Sequence, residues 1–284
     1  MAKLTVMVGL PASGKSTRAK ELMEADGNAI RLNKDLIRTM LHFDKFNGKN
    51  ESLTRDAEIA LADYFLNHGK NVIIDDTNLN PKTYNGWKEL ARPYGHKFEE
   101  VKMETSWSEC IDRDAKRDGK VGRDVITGMA RQYGMYDSKK KDIICDIDGT
   151  LCDLTHRLKY VKGVEKKDWK SFFENISKDK PRQEVIDKLW KMSKKCTINL
   201  VSGRPDTYRD ATVTWLKEND VPYQFLLMRR ADDKRDDTEV KRDFLNRYFR
   251  KDNIELVIDD RPRVIRMWQE EGLKVDDVGK QIEF

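Results

Sequence analysis

A glycine-rich segment near the N-terminus, GLPASGKS at residues 9–16, restricts the possible folds of this chain most strongly. It follows the apolar run LTVMV at residues 4–8 and opens a helix-forming stretch, GKSTRAKELMEA. Glycines in such a loop let backbone N–H groups turn toward phosphate oxygens, and the next helix points its positive N-terminus at the same place. The order strand, loop, helix therefore predicts a parallel α/β domain that holds a nucleoside triphosphate.

The individual residues of this loop have predictable roles. Gly9 and Gly14 fit the spacing of the phosphate-binding pattern, and Lys15 is expected to reach the β and γ phosphates. The hydroxyl of Ser16 is expected to bind Mg²⁺, and Thr17 to complete the nucleotide-binding set. The predicted cofactors are therefore ATP, as phosphate donor, and Mg²⁺.

A second group of residues predicts the acceptor side of a kinase site. In NKDLIR, at residues 33–38, Asp35 is a candidate general base for a hydroxyl nucleophile. Arg38 lies three residues later on the same side of a helical turn, where it is expected to hold an acceptor phosphate. The bland alternative, an ordinary surface acid and base, stays open for this pair taken alone.

Two further segments are expected to close the same site. Asp75 and Asp76, followed by Thr77, lie at the end of the apolar strand NVIID at residues 71–75, and ligands bind at the carboxyl ends of parallel strands. One of the two aspartates is expected to orient Mg²⁺ or its waters. Arg117 lies in the basic, glycine-bearing segment KRDGKVGRD at residues 116–124. This segment is interpreted as a lid whose arginine stabilises charge on the transferred phosphoryl group, although an exposed basic helix end is the simpler alternative.

The motif DIDGT at residues 146–150 predicts a second and opposite phosphate chemistry. Asp146 and Asp148 follow the strand-like run IIC, and alternate residues of an extended chain lie on one side. One carboxylate is expected to attack phosphorus and form an aspartyl-phosphate, while the other protonates the leaving oxygen. Gly149 permits a sharp turn directly afterwards.

Attack by an anion on a phosphate requires Mg²⁺ and cationic side chains. Candidates for this role follow later predicted strands in chain order. They are Ser202, Arg204, Lys241, Asp259 and Asp260. The predicted Mg²⁺ ligands of this site are Asp146, Asp148, Asp259 and Asp260.

The predicted strands and helices divide the chain into two α/β domains. The polar stretch YDSKKKD at residues 136–142 is the best candidate linker, so we expect domains at residues 1–138 and 139–284. In the first domain a helix is predicted over residues 55–68. In the second, a basic and aromatic insertion over residues 152–182 is expected to form a cap.

The cap contains residues that have two interpretations. Arg157 is expected to face the phosphatase site. Trp169, Phe172 and Phe173 either stack on a nucleic-acid strand end or pack together as the cap's own small core.

Composition narrows the protein class. Charged residues make up 37% of the 284 residues, and no apolar run approaches the roughly 20 residues that a membrane helix needs. The four cysteines show no metal-type spacing, which indicates reduced thiols and a cytoplasmic protein. The net charge of +5 suits a polyanionic partner.

Several strings together resemble one known family. GLPASGKST, NKDLIR, DTNLNP, DIDGTL, SGR, DDTEVK and IDDR followed by VIRMW are similar to the bifunctional polynucleotide 5′-kinase/3′-phosphatases of T-even-type bacteriophages. The resemblance covers nearly the full length and includes the domain order. It implies a P-loop kinase domain with a parallel sheet, followed by an α/β phosphatase domain of the haloacid dehalogenase (HAD) type with a small cap.

The resemblance also implies roles for single residues. Lys15, Ser16, Asp35, Arg38, Asp76 and Arg117 match kinase-site residues, and Val121 and Val125 fall at acceptor contacts in a lid that is shorter and more basic than the family's. Asp146 looks like the phosphatase nucleophile and Asp148 like its general acid–base. The substrate-site or metal-site positions are Arg157, Ser202, Arg204, Asp237 (with Asp236 as an alternative), Lys241, Asp259 and Asp260.

The expected function is therefore the repair of broken nucleic-acid ends. ATP would phosphorylate a 5′-hydroxyl of RNA or DNA, and the second site would remove a 3′-phosphate or a 2′,3′-cyclic phosphate. The expected partners are nucleic-acid ends, a ligase of the same pathway and further copies of the chain. No membrane association is expected, and the expected location is the cytoplasm, which is that of the host if the source is viral. The alternatives are a small-molecule kinase fused to an unrelated phosphatase, and a non-catalytic nucleic-acid binder.

Overall fold

The computed structural model describes residues 1–45, 47–136 and 139–279. The chain divides into two compact units between Tyr136 and Asp137, within the stretch predicted as a linker. The predicted domain boundary, between residues 138 and 139, touches a position outside the described residues. The predicted class is confirmed: each unit is built on a parallel sheet with helices along its connections.

The first unit has a parallel sheet in the strand order β2-β3-β1-β4. In β1 every residue after Lys3 is buried, since helices cover both faces of the sheet. Leu4 and Val6 pack into one apolar cluster and Met7 into another. The elements are β1 Lys3–Val8, α1 Lys15–Ala25, β2 Ala29–Leu32, α2 Lys34–His42, α3 Gly48–Asn67, β3 Asn71–Ile74, α4 Pro81–Ala91, β4 Lys97–Lys102, α5 Trp107–Ala115 and α6 Arg123–Gln132.

Short polar side chains fix where these helices begin. Asn33 caps α2 by accepting a hydrogen bond from the Leu36 backbone N–H at 3.1 Å. Helix α3 was predicted to begin at residue 55, and this is wrong because Asn47 accepts from the Asn50 N–H and starts the helix at Gly48. The longer α3 brings its first two turns against α2.

The second unit has a parallel sheet in the order β11-β10-β5-β8-β9. Alternate residues of its central strand face different layers, since Ile143 and Cys145 pack in one cluster and Ile144 in another. The elements outside the cap are β5 Lys141–Cys145, α8 Gln183–Ser193, β8 Cys196–Pro205, α9 Arg209–Glu218, β9 Phe225–Arg229, α10 Asp237–Tyr248, β10 Ile254–Asp259, α11 Pro262–Glu270 and β11 Val275–Asp277.

The predicted cap is a small, mostly irregular insertion. Its ends pair as a short antiparallel ribbon of β6 (Cys152–Asp153) and β7 (Lys180–Pro181), and it contains the helix α7 (Trp169–Glu174). The rings of Phe172 and Phe173 lie 5.2 Å apart, and both contact Trp169. The three rings therefore pack on one another, with Phe172 buried and Trp169 43% exposed. Within the described parts of the chain, no helix meets the length and hydropathy needed to cross a bilayer.

Candidate active sites

The first unit contains a cavity of about 740 Å³ at the carboxyl ends of its strands. Loop, acceptor helix, strand end and lid all contribute to its walls, so residues far apart in sequence face one space. The predicted residues on the walls are Gly14, Lys15, Ser16, Thr17, Asp35, Arg38, Asp76, Thr77, Arg117, Val121 and Val125.

The phosphate loop has the backbone geometry that its glycines predict. Gly14 has φ of 95°, a left-handed value that suits glycine. A Cβ on Gly9 would lie 2.8 Å from the Ser13 Oγ and 2.9 Å from the Met103 Cβ, so this position leaves no room for a side chain. The absence of a side chain at Gly9 therefore lets the loop pack closely against Ser13 and Met103.

Lys15 lies at the bottom of this loop and is almost fully buried. Its Nζ donates hydrogen bonds to the carbonyl oxygens of Gly9 at 3.1 Å and Leu10 at 2.6 Å. Burial lowers the pKa of Lys15 to about 8, and the nearby Asp75 carboxylate only partly offsets that effect. The ammonium is thus held by neutral oxygens, and an anion is the partner that would favour its charged form.

The acceptor residues lie in the first turns of α2. The Asp35 side chain is 81% exposed, so its carboxylate is open to the cavity. Arg38 donates to Asp35 Oδ1 at 2.6 Å and to Glu51 Oε2 at 3.0 Å. The hydrogen bond that Arg38 donates to Glu51 is the largest of the effects that raise the pKa of Arg38. The guanidinium is therefore fixed and charged beside the candidate base.

The two aspartates after β3 have different surroundings. Asp75 Oδ2 accepts from the Arg31 guanidinium at 2.5 Å and 2.8 Å, which ties β3 to β2. Asp76 Oδ1 accepts from the backbone N–H of Lys34 at 3.1 Å, and the Lys34 ammonium lies 3.6 Å from Asp76 Oδ2. Asp76 therefore holds the start of α2, where a helix offers free N–H groups.

The lid is organised by a buried aspartate. Arg117 Nε donates to Asp114 Oδ1 at 2.8 Å, and the backbone N–H groups of Val121 and Gly122 donate to the same carboxylate at 3.1 and 2.8 Å. Burial would raise the pKa of Asp114, but these N–H groups and the Arg117 guanidinium outweigh it and lower the pKa. One carboxylate thus fixes the lid arginine and the loop that carries Val121.

The second unit gathers three carboxylates beyond the ends of β5 and β10. One oxygen each from Asp146, Asp259 and Asp260 lies within 4.8 Å of the others. Thr150 Oγ1 donates to Asp260 at 2.9 Å, and a Cβ on Gly149 would lie 2.1 Å from Asp260 Oδ2. The cluster is an all-oxygen donor set, which fits Mg²⁺.

Lys241 neutralises part of this carboxylate cluster. Its Nζ lies 2.9 Å from Asp146 Oδ1, 3.0 Å from Asp259 Oδ2 and 3.7 Å from Asp237 Oδ2. Burial would lower the pKa of Lys241, but these carboxylates outweigh it and raise the pKa. Asp236 caps α10 and pairs with Arg263, so Asp237 and not Asp236 stands beside Lys241.

The side chain of Asp148 belongs to a separate cluster. Arg204 donates to both its oxygens at 2.8 Å, and Arg157 donates to Asp148 Oδ1. Burial would raise the pKa of Asp148, but Arg204 and Arg157 outweigh it and lower the pKa. The expected use of this carboxylate as a further Mg²⁺ ligand is corrected here, because its oxygens are turned toward the two arginines.

A smaller cavity, of about 330 Å³, lies between the carboxylate cluster and the cap. Gly149 and Asp260 line one side, and Leu158 and Lys180 of the cap line another. Ser202 lies behind the site, completely buried, and its Oγ accepts from the Arg204 N–H at 3.2 Å. Of the carboxylate cluster, Asp260 is the member that lines this cavity.

The two units match two families. Residues 140–281 match the family described as the polynucleotide kinase PNKP phosphatase domain, which is half of the chain. The chain belongs to this family. Residues 4–135 match a family described as an AAA domain, which fits the nucleotide-binding loop of the first unit.

This chain is similar to two curated proteins and to a chain of one solved complex. A protein of Autographa californica nuclear polyhedrosis virus, named as a bifunctional polynucleotide kinase/RNA ligase, is 29% identical over 97% of this chain and 42% of its own length. The L-seryl-tRNA(Sec) kinase of Methanococcus maripaludis is 24% identical over 72% of this chain and 82% of its own. A chain of the Pnkp1/Rnl/Hen1 RNA repair complex is 24% identical, covers 98% of this chain and 96% of its own, and has a TM-score of 0.42. This chain thus spans about two fifths of the viral relative.

Three carboxylates that fix functional side chains were not found from the sequence. Glu51 holds Arg38, Asp114 holds the lid, and Asp179 accepts from Arg157 at 2.7 Å and from Arg204 at 3.2 Å. Asp114 could have been found, because it precedes Arg117 by one helical turn. Glu51 and Asp179 lie 13 and 25 residues from Arg38 and Arg204, and no motif marks them.

Proposed function

We propose that this chain is a bifunctional enzyme that repairs broken nucleic-acid ends, with a 5′-hydroxyl kinase in the first unit and a 3′-phosphatase in the second. The observation that carries the proposal is the shared cavity of Lys15, Asp35, Arg38 and Arg117, which joins triphosphate-binding and acceptor-binding residues. An arginine for a second phosphate has a use when the acceptor is a polynucleotide or a phosphorylated nucleoside. Membership of a polynucleotide kinase phosphatase family supports the second activity.

In the proposed kinase reaction the 5′-hydroxyl oxygen attacks the γ-phosphorus of ATP and ADP leaves. Asp35 accepts the proton of the attacking hydroxyl, since its exposed carboxylate faces the cavity. Arg38 holds the acceptor's 3′-phosphate, and Lys15 and Arg117 neutralise charge on the transferred group. Val121 and Val125, half-exposed on the lid side of the cavity, offer apolar contacts to the acceptor nucleotide.

In the proposed phosphatase reaction an oxygen of Asp146 bonds to phosphorus and the bond to the 3′ oxygen breaks. Asp148 gives the leaving oxygen a proton, and then takes one from the water that hydrolyses the aspartyl-phosphate. Arg204 and Arg157 lower the pKa of Asp148, so without substrate its carboxylate is ionised and can accept a proton from the hydrolytic water. The proton that Asp148 gives to the leaving 3′ oxygen must therefore be taken up when the substrate binds. Lys241 lies beside Asp146 and neutralises charge as the phosphate enters.

Both sites are proposed to use Mg²⁺. In the phosphatase, Asp146, Asp259 and Asp260 would hold it, and in the kinase the Ser16 hydroxyl would contribute. When bound, Mg²⁺ neutralises phosphate charge in each site. Burial raises the pKa of Asp146 well above its usual range, and Lys241 and the cation work against that effect so that the nucleophile can ionise.

Wider assignments follow from the same proposal. We place the kinase in residues 1–138 and the phosphatase in residues 139–284, and we propose that a nucleic-acid ligase acts on the repaired ends. The resemblance of its motifs points to a T-even-type bacteriophage lineage and to a homo-oligomer in the host cytoplasm. Light scattering of the purified chain tests the oligomer.

The decisive experiment separates the two activities. Oligonucleotides of RNA and DNA with a 5′-hydroxyl and a 3′-phosphate are incubated with ATP and Mg²⁺, and each end is followed. Asp35→Ala should reduce 5′ phosphorylation by about 10²- to 10⁴-fold and leave 3′ dephosphorylation unchanged. Asp146→Ala should have the reverse effect, with a loss of at least about 10³-fold because a nucleophile is removed.

The matched controls exclude the alternatives. Free nucleosides and sugars are tested as acceptors in place of the oligonucleotide. Mononucleotides with a 3′-phosphate are compared with the free nucleosides to test whether the acceptor needs the phosphate that Arg38 is proposed to bind. Equal loss of both activities in either variant would contradict independent sites. Phosphorylation of free nucleosides in preference to oligonucleotides would favour a small-molecule kinase.

A further inference from the structure

A pair of buried carboxyl groups lies behind the acceptor helix and is outside the catalytic roles described so far. Glu58, on α3, has 1% of its surface exposed, and Asp76, after β3, has 8%. Glu58 Oε1 and Asp76 Oδ2 are both fully buried, and among the described residues neither has a hydrogen-bond donor. Asp76 acts on the Glu58 carboxyl both through its charge and as a side-chain hydrogen-bond partner.

Two neighbouring carboxylates at this depth cannot both be ionised without a large cost, and a proton on one of them removes that cost. Burial, and then the charge of Asp76, raise the pKa of Glu58 to about 9, so the proton resides on Glu58 at neutral pH. The other charged groups that act on Glu58 are Lys34 and Asp35. The Lys34 ammonium lies 3.6 Å from Asp76 Oδ2, which favours charge on Asp76.

Asp76 in turn holds the beginning of α2. Its second oxygen, Oδ1, accepts from the backbone N–H of Lys34, the first residue of that helix. The next helical residues include Asp35 and Arg38, the proposed base and the acceptor-phosphate arginine. The position of the Asp76 side chain therefore helps to determine where Asp35 and Arg38 lie.

We propose that Glu58 is a positioning residue of the kinase: as a neutral carboxyl it donates a hydrogen bond to Asp76 and so fixes the acceptor helix. The proposal rests on the proposed kinase function. Glu51 lies seven residues, or about two turns, before Glu58 on the same face of α3, and it binds Arg38. Helix α3 thus holds α2 at two points, through an ionised carboxylate and through a protonated one.

Two substitutions of Glu58 separate the proton from simple packing. Glu58→Gln keeps the size and gives an N–H donor to Asp76, whereas Glu58→Ala removes the donor. In the full chain we expect Glu58→Ala to lower kcat/KM for a 5′-hydroxyl oligonucleotide by about 10- to 100-fold, because the acceptor groups are misplaced, with KM for ATP within about twofold of wild type. Glu58→Gln should stay within about threefold of wild type.

Two readouts are independent of kinase activity. Calorimetric binding of ADP reports whether the first unit of each variant is folded. The proposed nucleotide ligands are residues of the phosphate loop and do not include Glu58. Infrared difference spectra of wild type minus Glu58→Gln should contain the C=O band of a protonated carboxyl at neutral pH.

The outcomes separate failure of this inference from failure of the proposed function. A wild-type chain that does not phosphorylate oligonucleotides contradicts the function, whereas the infrared band can still be present. If the wild type is active, three results would overturn the positioning role. They are the absence of the protonated-carboxyl band, a Glu58→Ala variant as active as wild type, and a Glu58→Gln variant that loses as much activity as Glu58→Ala while still binding ADP.

Discussion

The two proposed sites of this chain handle phosphate with opposite electrostatic designs. In the first unit the charged groups face an open cavity: the Asp35 side chain is 81% exposed and that of Arg38 is 15% exposed. In the second unit the Asp148 side chain is 13% exposed and that of Arg204 is fully buried. The kinase site keeps its candidate base open to substrate, whereas the phosphatase site buries both members of its ion pairs.

The difference follows from what each site has to admit. A cavity for a triphosphate and a strand end must be large, and its cations must be available to several phosphate groups. The phosphatase has to bind one terminal phosphate, so its arginines and carboxylates can be buried and fixed in advance, at a desolvation cost that their mutual pairing offsets.

The two active-site lysines express the same contrast. Lys15 donates to neutral carbonyl oxygens, and burial lowers its pKa to about 8. Lys241 contacts carboxylates, which raise its pKa despite complete burial. Lys15 therefore depends on the phosphate of a bound ligand for a negative partner, whereas Lys241 already has negative partners in the protein.

The largest expected effect that tests this contrast is on stability. Arg204→Ala leaves Asp148 and Asp179 buried with one arginine fewer, and we expect it to destabilise the second unit by about 3–5 kcal/mol. Arg38→Ala should cost about 1 kcal/mol, because its partners Asp35 and Glu51 stay in contact with water, with 81% and 24% of their side chains exposed. Hydrogen exchange should show amides of β5 and β8 exchanging roughly 10²- to 10³-fold faster in Arg204→Ala, with β1 and β3 unchanged.

A second variant makes that result specific to charge. Asp148→Asn combined with Arg204→Ala removes one charge of each sign and should recover part of the lost protection. If Arg38→Ala loosens its unit as much as Arg204→Ala does, the proposed division into an open and a prepaired site is wrong.

The sequence predicted the parts of both sites that lie within short motifs. The loop around Lys15, the helix with Asp35 and Arg38, and the strand ends with Asp146, Asp259 and Asp260 each depend on local order, so their elements could be predicted from neighbouring residues. The partners Glu51 and Asp179 could not, because tertiary packing of α3 and of the cap places them.

The error at Asp148 has a local cause. The prediction assumed that the chain stays extended after β5, so that residues 146 and 148 face one way. Strand β5 ends at Cys145, and Gly149 turns the chain with φ of 85°. The side chains of Asp146 and Asp148 therefore enter different clusters, which the period of a strand does not describe.

A smaller effect, on binding, tests the contrast between the lysines. Since the pKa of Lys15 is about 8, its ammonium is lost as pH rises through that value, and ADP affinity should then fall by up to about tenfold per pH unit. Calorimetric titrations between pH 7 and 9.5 measure it. Lys15→Arg keeps its charge and should give a flat profile. Binding of inorganic phosphate to the second unit of Asp146→Asn should also be flat once the phosphate is fully dianionic, because the pKa of Lys241 is raised and the titrating Asp146 has been removed.

Equal slopes for wild type and Lys15→Arg would assign the pH dependence to another group. A phosphate affinity of the second unit that falls over the same range would place Lys241 in the same class as Lys15 and remove the contrast.

The smallest expected effect concerns how each arginine is held. Arg38 is bound by the Glu51 carboxylate of the next helix and stays partly exposed, whereas the buried Arg204 is bound by Asp148 and Asp179. Glu51→Gln should raise KM for the oligonucleotide acceptor by about three- to tenfold, since a half-exposed charge-assisted pair contributes about 1 kcal/mol. Steady-state kinetics measure it, with Glu21→Gln, which loses only the exposed pair with Arg18, as the matched control. Asp179→Asn should reduce phosphatase activity more than Glu51→Gln reduces kinase activity, because Arg157 and Arg204 are both buried and lose one of the two carboxylates that they share. The reverse order would mean that the kinase site depends more on prior pairing than the phosphatase site.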